Sequence, residues 1–165
     1  MATRTFTSTV YERQGLSGQR YRLGMNFIGG TLPETQLINL SVSDIVFLCR
    51  IPNRATIVDW YLKGNSTTTI TAAIMKMGIV SAGSAVAGTE STFGSALTFS
   101  STAWMHRPGG GSATALVTSV PFKVSISDTD AQAGALVYAT ASSGTFTTSL
   151  SLDFGFWYVH DGHGV

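Results

Sequence analysis

Few stretches of this 165-residue chain gather side chains of the types that do chemistry, and each can be weighed on its spacing. His160-Asp161-Gly162-His163-Gly164 holds two imidazoles and a carboxylate, which are metal-ligand types. A working site needs further ligands and supporting partners, and a solvated tail after the last strand accounts better for the spacing. Pro108-Gly109-Gly110-Gly111-Ser112 lacks the Gly-Lys-Ser/Thr ending that brings a lysine to a phosphate, so it reads as a flexible loop. Cys49 alternates with apolar neighbours and reads as a small buried hydrophobe, and no serine sits in a G-x-S-x-G turn. Asp44, Asp59, Glu90 and Asp153 could supply two carboxylates for glycoside cleavage, but sequence does not fix their separation. The expectation is a protein without catalytic residues, metal or cofactor.

Binding residues are easier to nominate. Trp104-Met105-His106-Arg107 lies between two stretches of small residues and is expected on a loop, with Trp104, His106 and Arg107 free to insert into a partner, stack on a sugar ring, or pack over an open end of the fold. Tyr61 and Trp157 are expected on the outward faces of their strands. Arg4, Arg13, Arg20 and Arg22 face only Glu12 within residues 1–22, whereas from Pro108 onward Lys123 faces Asp128, Asp130, Asp153 and Asp161. Ends of opposite sign favour contacts between an arm and a neighbouring subunit, set against the plainer reading of a few solvated charges.

The composition narrows the classes of function. Charged residues make up 12% of the chain, about half the usual share. Forty-one residues are Ser or Thr, so the polar surface is hydroxylic and weakly charged. Such a surface suits a protein packed against partners, and it equally suits any all-β domain rich in Thr. A net charge of +1 carries no footprint for nucleic acid or an anionic membrane. The single cysteine excludes an internal disulfide. No apolar run has the length of a membrane span or the pattern of a signal peptide, so synthesis in a cytoplasm is expected. The length fits one domain able to bury about two-thirds of its unfolded surface.

The elements that must position these residues follow from alternation. Gly144 to Val159 has period two: Phe146, Leu150, Leu152, Phe154, Phe156 and Tyr158 fall on one face, and Ser149, Ser151, Asp153, Gly155, Trp157 and Val159 on the other. This is a long strand with one apolar face, and Gly155 is expected to mark a bend or bulge. Asp44 to Gly64 reads as a hairpin. Its first strand groups Ile45, Phe47, Cys49 and Ile51, Pro52-Asn53-Arg54-Ala55 turns, and the second groups Val58, Trp60 and Leu62 against Ile57, Asp59, Tyr61 and Lys63. Thr69 to Ile79 is expected as a strand. Within residues 80–119, strands are expected near Ala96–Ser100 and Thr114–Thr118, with a short helix near Ser84–Phe93 as the competing possibility. Phe122 to Ser127 and Ala135 to Thr140 complete the set. Residues 1–43, broken by glycines, read as an extended N-terminal arm with one or two short strands. Residues 44–161 form the domain and 162–165 a tail. The expected fold is all-β, an antiparallel β-sandwich or jelly roll.

The stretch F-L-C-R-I-P-N-R-A-T-I-V-D-W-Y-L-K from Phe47, the following T-x-x-I-M-K-M-G-I from Thr71, and the closing T-A-S-S-G-T-F-T-T-S-L-S-L-D-F-G-F-W-Y-V-H-D from Thr140 resemble the small virion proteins of tailed bacteriophages encoded among head genes. The resemblance covers about Asp44 to Asp161 and rests on pattern; residues 1–43 and 80–118 are not clearly matched. It implies a sandwich or jelly roll on the capsid surface, often a trimer bracing the major capsid protein, with no catalytic residues to carry over. The expected function is capsid decoration. The alternative is a receptor- or glycan-binding module of a head fibre or tail.

Overall fold

A computed structural model of the chain describes residues 5–7, 24–37, 40–66, 73–81, 93–99, 103–108, 121–124, 134–143 and 150–160. Among them are ten strands and one helical turn: β1 (Thr5–Thr7), β2 (Gly24–Leu32), α1 (Glu34–Leu37), β3 (Ile45–Ile51), β4 (Thr56–Ser66), β5 (Ala73–Ser81), β6 (Gly94–Phe99), β7 (Ala103–His106), β8 (Phe122–Lys123), β9 (Ala135–Ser143) and β10 (Leu150–His160). The all-β expectation therefore holds. One sheet runs β1-β3-β9-β5-β6; the other runs β2-β10-β4-β7, with β8 also on β4. Every pairing is antiparallel except that of β1 with β3.

The period-two face of β10 organises the core. Leu150, Leu152, Phe154, Phe156 and Tyr158 are all buried, while Ser151, Asp153 and Trp157 are half-buried and Val159 is exposed. Each large apolar side chain taken fully from water contributes about 1.5–3 kcal/mol, so a one-residue slip of this strand would forfeit several such terms at once. From the other sheet come Val46, Leu48, Cys49, Ile51, Met75, Met77, Leu97 and alternate residues of β9, and both sets belong to one apolar cluster. Phe93 bridges them: its N–H donates to Met77 O of the first sheet at 2.9 Å, and its ring centroid lies 5.8 Å from Trp60 and 5.5 Å from Phe156 of the second.

The expected hairpin over Asp44 to Gly64 is corrected. β3 and β4 belong to different sheets, as do β9 and β10. Pro52–Ala55 does form a tight turn: Ala55 N–H donates to Pro52 O at 3.2 Å, Arg54 N–H to Asn53 Oδ1 at 3.0 Å, and Arg54 adopts φ +67°. Its exit, however, bonds to Val124 rather than back across β3, through Arg54 N–H to Val124 O at 3.0 Å and Val124 N–H to Ala55 O at 2.8 Å. The turn is thus a corner that carries the chain over the core to the opposite sheet. A local pattern of apolar, turn, apolar is the same in both cases.

The expected face grouping within β3 is also corrected. Phe47 pairs with Tyr138 and Cys49 with Val137, which leaves Leu48 as the extra residue of a bulge. The phase switches there, so Val46 and Leu48 before it and Cys49 and Ile51 after it all reach the core. β4 does the same at Val58: Trp157 pairs with Asp59 and Tyr158 with Ile57, so Ile57, Trp60 and Leu62 are buried together. The bulge expected at Gly155 lies instead on this neighbouring strand.

Within residues 1–43, β1 adds a short edge to the first sheet and β2 forms nine-residue pairing with β10. Leu32, Leu37 and Leu40 join the core. The expected strand near residues 96–100 is β6; the possible strand at 114–118, the competing helix near Ser84–Phe93 in all but Phe93, and the 162–165 tail fall outside the described residues. Trp104-Met105-His106 is a strand, β7, and not the loop that was expected, since small residues on both sides obscure a four-residue alternation.

Candidate interaction face

The outward residues of β2, β10 and β4 build a continuous surface, because opposed residues of paired strands share a face. Reading across the sheet, Met25 stands opposite Val159, Phe27 opposite Trp157, Gly29 opposite Gly155 and Thr31 opposite Asp153. On the other flank of β10, Trp157 faces Asp59, Gly155 faces Tyr61 and Asp153 faces Lys63. β7 extends the surface by setting Met105 opposite Lys63. Met25 is 69% exposed, Phe27 54%, Met105 49% and Val159 36%. Among the described residues only one other large apolar side chain, Val42, is exposed to this degree. Isolated exposed apolar residues are ordinary, but this concentration on one sheet face is not.

Aromatic rings set the shape of the surface. Trp157 packs between Phe27 and Tyr61, with centroids 4.8 and 5.7 Å away and interplanar angles of 47° in both cases. The rings can lie down on the sheet because Gly155 has no side chain. A Cβ there would collide with Cε1 of Tyr61 and come within 2.7 Å of Cε2 of Phe27. Gly29 beside it is confined by the Phe154 carbonyl oxygen, 2.6 Å from where a Cβ would stand.

Polar groups finish the far end. Asp153 accepts hydrogen bonds from Thr31 Oγ1–H at 2.6 Å and Asn65 Nδ2–H at 3.3 Å. Burial, and then the Asp153 carboxylate, raise the Tyr61 phenol above its ordinary value. Asp59 braces the β4 bulge by accepting from Trp60 N–H at 2.8 Å, and its other oxygen lies 3.8 Å from Arg107 Nη2. Both members of that ion pair are well exposed, so it contributes at most about 1 kcal/mol.

The residues nominated from sequence are only partly assembled here. Arg107 borders the face, and Tyr61 and Trp157 are at its centre. Trp104 and His106 occupy register positions opposite Gly64 and Leu62 on β7. Arg4, Arg13, Arg20 and Arg22 lie outside the described residues. Of the carboxylates considered for glycoside cleavage, Asp44 is buried and accepts from Ser41 N–H at 2.7 Å, holding a turn. Asp59 stands opposite Trp157, four residues along β10 from Asp153, so the two are set roughly 13 Å apart along the strand, which is wider than paired glycosidase carboxylates. Glu90 is outside the described residues. Cys49 is buried, as expected, and burial raises its thiol. Among the described residues no group of three or more His, Cys, Asp and Glu side chains could hold a metal ion.

Met25 and Phe27 were not nominated, although a signal exists. Met25, Phe27, Gly29, Thr31 along β2 and Val159, Trp157, Gly155, Asp153 backwards along β10 repeat one order: apolar, aromatic, glycine, polar. Two strands with mirrored order are matched for antiparallel pairing.

No protein-family model matches the chain, and no curated protein matches it. Among solved structures it is similar to a chain described as the capsid of Ralstonia phage GP4, with TM-score 0.54 and 15% identity over 94% of this chain and 97% of that one. A chain of the cyanophage Pam1 capsid asymmetric unit aligns with TM-score 0.47 and 16% identity over 87% and 91%. What the first likeness establishes is a shared fold along nearly the full length of both chains.

Proposed function

We propose that this chain is a structural protein of a tailed-phage virion, a jelly-roll capsid decoration protein that binds the outside of the major capsid shell and stabilises it. The strand orders 2-10-4-7 and 3-9-5-6, with most consecutive strands changing sheets, support the jelly-roll reading, in which two Greek keys are nested. The full-length fold likeness to a phage capsid chain supports the setting. The observation that carries the contact role is the exposed aromatic and apolar face of β2, β10 and β4 on a rigid scaffold. In this reading the chain acts without catalysis or cofactor, and its partners are the major capsid protein and further copies of itself, with a trimer favoured. Neither nucleic acid nor membrane is a partner.

The mechanism is mass action. A subunit that binds only the assembled shell stabilises it by RT ln(1 + [L]/Kd), about 2.7 kcal/mol at a hundredfold excess over Kd. Several weak contacts held by one oligomer add through effective concentration. The arginines of residues 1–22 are assigned the reach to a neighbouring capsid subunit. Co-sedimentation with expanded shells lacking the protein tests this: the full chain pellets with shells in amounts approaching the major capsid protein, and a chain without residues 1–22 binds more weakly. A full chain that stays in the supernatant overturns the reading.

The fibre or tail alternative, a glycan-binding module, is favoured by one feature, the Trp157 and Tyr61 rings beside the Asp153, Asn65 and Thr31 cluster. Copy number separates the two. Densitometry of purified particles gives tens of copies or fewer for a fibre component and near parity with the capsid protein for decoration.

A further inference from the structure

Resting on the reading of this chain as a contact protein of the virion, we propose that the corner of the second sheet formed by Met25, Phe27, Trp157 and Val159 binds the same corner of a second copy of this chain.

Three features select a second copy. The first is charge. The five charged residues described on and beside this face are Asp59, Asp153, Lys63, Arg107 and Lys123, which sum to +1; Arg107 lies 3.8 Å from Asp59, Lys63 stands across the strand from Asp153, and Lys123 stands across Thr56 from Val159. A strongly charged partner gains nothing from such a face. An identical face carrying a single net charge is repelled only weakly, and a chain of net charge +1 adds almost no long-range repulsion between copies.

The second is position. The patch lies at the sheet's edge strand, β2, and at the C-terminal end of β10, and not at the middle of the sheet. An apolar corner can meet its own equivalents around a symmetry axis, where each copy contributes the same residues. Glycines 29 and 155 make the aromatic part low and smooth, so two copies approach without clashing side chains.

The third is area. The exposed parts of Met25, Phe27, Val159, Trp157 and Tyr61 amount to roughly 300–400 Å², the size of the largest patch on a typical monomer. That is about half of the ~800 Å² per partner used by a standard stable pair, so the association is reversible rather than permanent.

The test is sedimentation velocity of the full chain over about 1–200 μM, a range that spans weak to moderate association. The mass rises from monomer to dimer or trimer with concentration, and hydrogen exchange at residues 24–32 and 155–160 slows over the same range. Met25→Glu and Val159→Glu place like charges at the axis and weaken the association at least tenfold, while circular dichroism confirms the fold. Should one variant fail to fold, the other and the exchange measurement on the unaltered chain decide. A chain that is monomeric throughout overturns the proposal, as does an oligomer that neither variant weakens. If a monomeric chain pellets with shells and Met25→Glu abolishes that, the occupant is capsid protein; self-association is overturned and the virion role stands. If the chain associates through this corner but never pellets with shells, the corner contact is upheld and the virion role fails.

Discussion

Gly155 is the residue on which the aromatic face depends. Its missing side chain is the space that Tyr61 and Phe27 occupy, and Trp157 packs against both rings. Gly155→Ala is expected to destabilise the fold by about 1–3 kcal/mol, the usual cost of overpacking, and to shift the emission of Trp157 as the rings move. Urea denaturation followed by fluorescence reads both, and an unchanged midpoint would mean the rings are not seated there. Cys49 behaves differently, because burial alone raises its thiol above the ordinary value of 9.0. The folded chain then holds a proton that the unfolded chain has already lost. Its contribution is complete below about pH 9 and declines as pH rises beyond it. Tyr61, also raised, acts in the same direction from about pH 10. The urea midpoint should therefore fall on the alkaline side, more steeply in the unaltered chain than in Cys49→Ala, and a thiol reagent should label Cys49 at the rate of unfolding.

At the scale of elements, the decisive devices are bulges and turns. Alternation alone would send Cys49 and Ile51 to the opposite face from Val46 and Leu48, and the bulge at Leu48 lets all four contribute to the core. The turn that leads into β3 depends on Asp44, whose carboxylate accepts from Ser41 N–H and whose own N–H donates to Ser41 O at 3.0 Å, with Ser43 held at φ +76°. The same turn joins β9, through Ser43 N–H to Ala141 O at 2.9 Å and Ala141 N–H to Asp44 O at 3.2 Å. Asp44→Ala leaves a part-buried N–H without its carboxylate partner and is expected to cost about 1–3 kcal/mol. Thermal denaturation checks this, and a loss below a few tenths of a kcal/mol would remove the turn from the list of structural determinants. Gly134 has a similar role at the entry to β9: φ is +71° and a Cβ would approach Ile51 O to 2.7 Å.

At the scale of the whole molecule, the two sheets differ in what they offer. β9 is buried on both faces from Ala135 to Ala141, whereas β10 buries one face and presents Trp157 and Val159 on the other. The second sheet is therefore the one with a surface to share. Removing residues 1–22 takes away β1, which adds three pairings at the edge of the first sheet, and leaves both four-stranded cores of the sheets in place. The truncated chain should keep its β-type circular dichroism and a cooperative transition while losing affinity for shells; a loss of cooperativity would instead make β1 part of the fold.

Sequence by itself determined that this is a sheet protein, that β10 is a long strand, and which face of β10 is inside, since a strand's period of two is a local property that side-chain hydropathy reports directly. It also marked Tyr61 and Trp157 as outward. Only the tertiary structure decided that Pro52–Ala55 is a corner rather than a hairpin, that Trp104 and His106 belong to a strand, and that Met25 and Phe27 stand beside Trp157. Those outcomes depend on which distant segment accepts a backbone hydrogen bond, and such partners, Val124 for the corner and Gly64 for β7, are far from their mates along the chain.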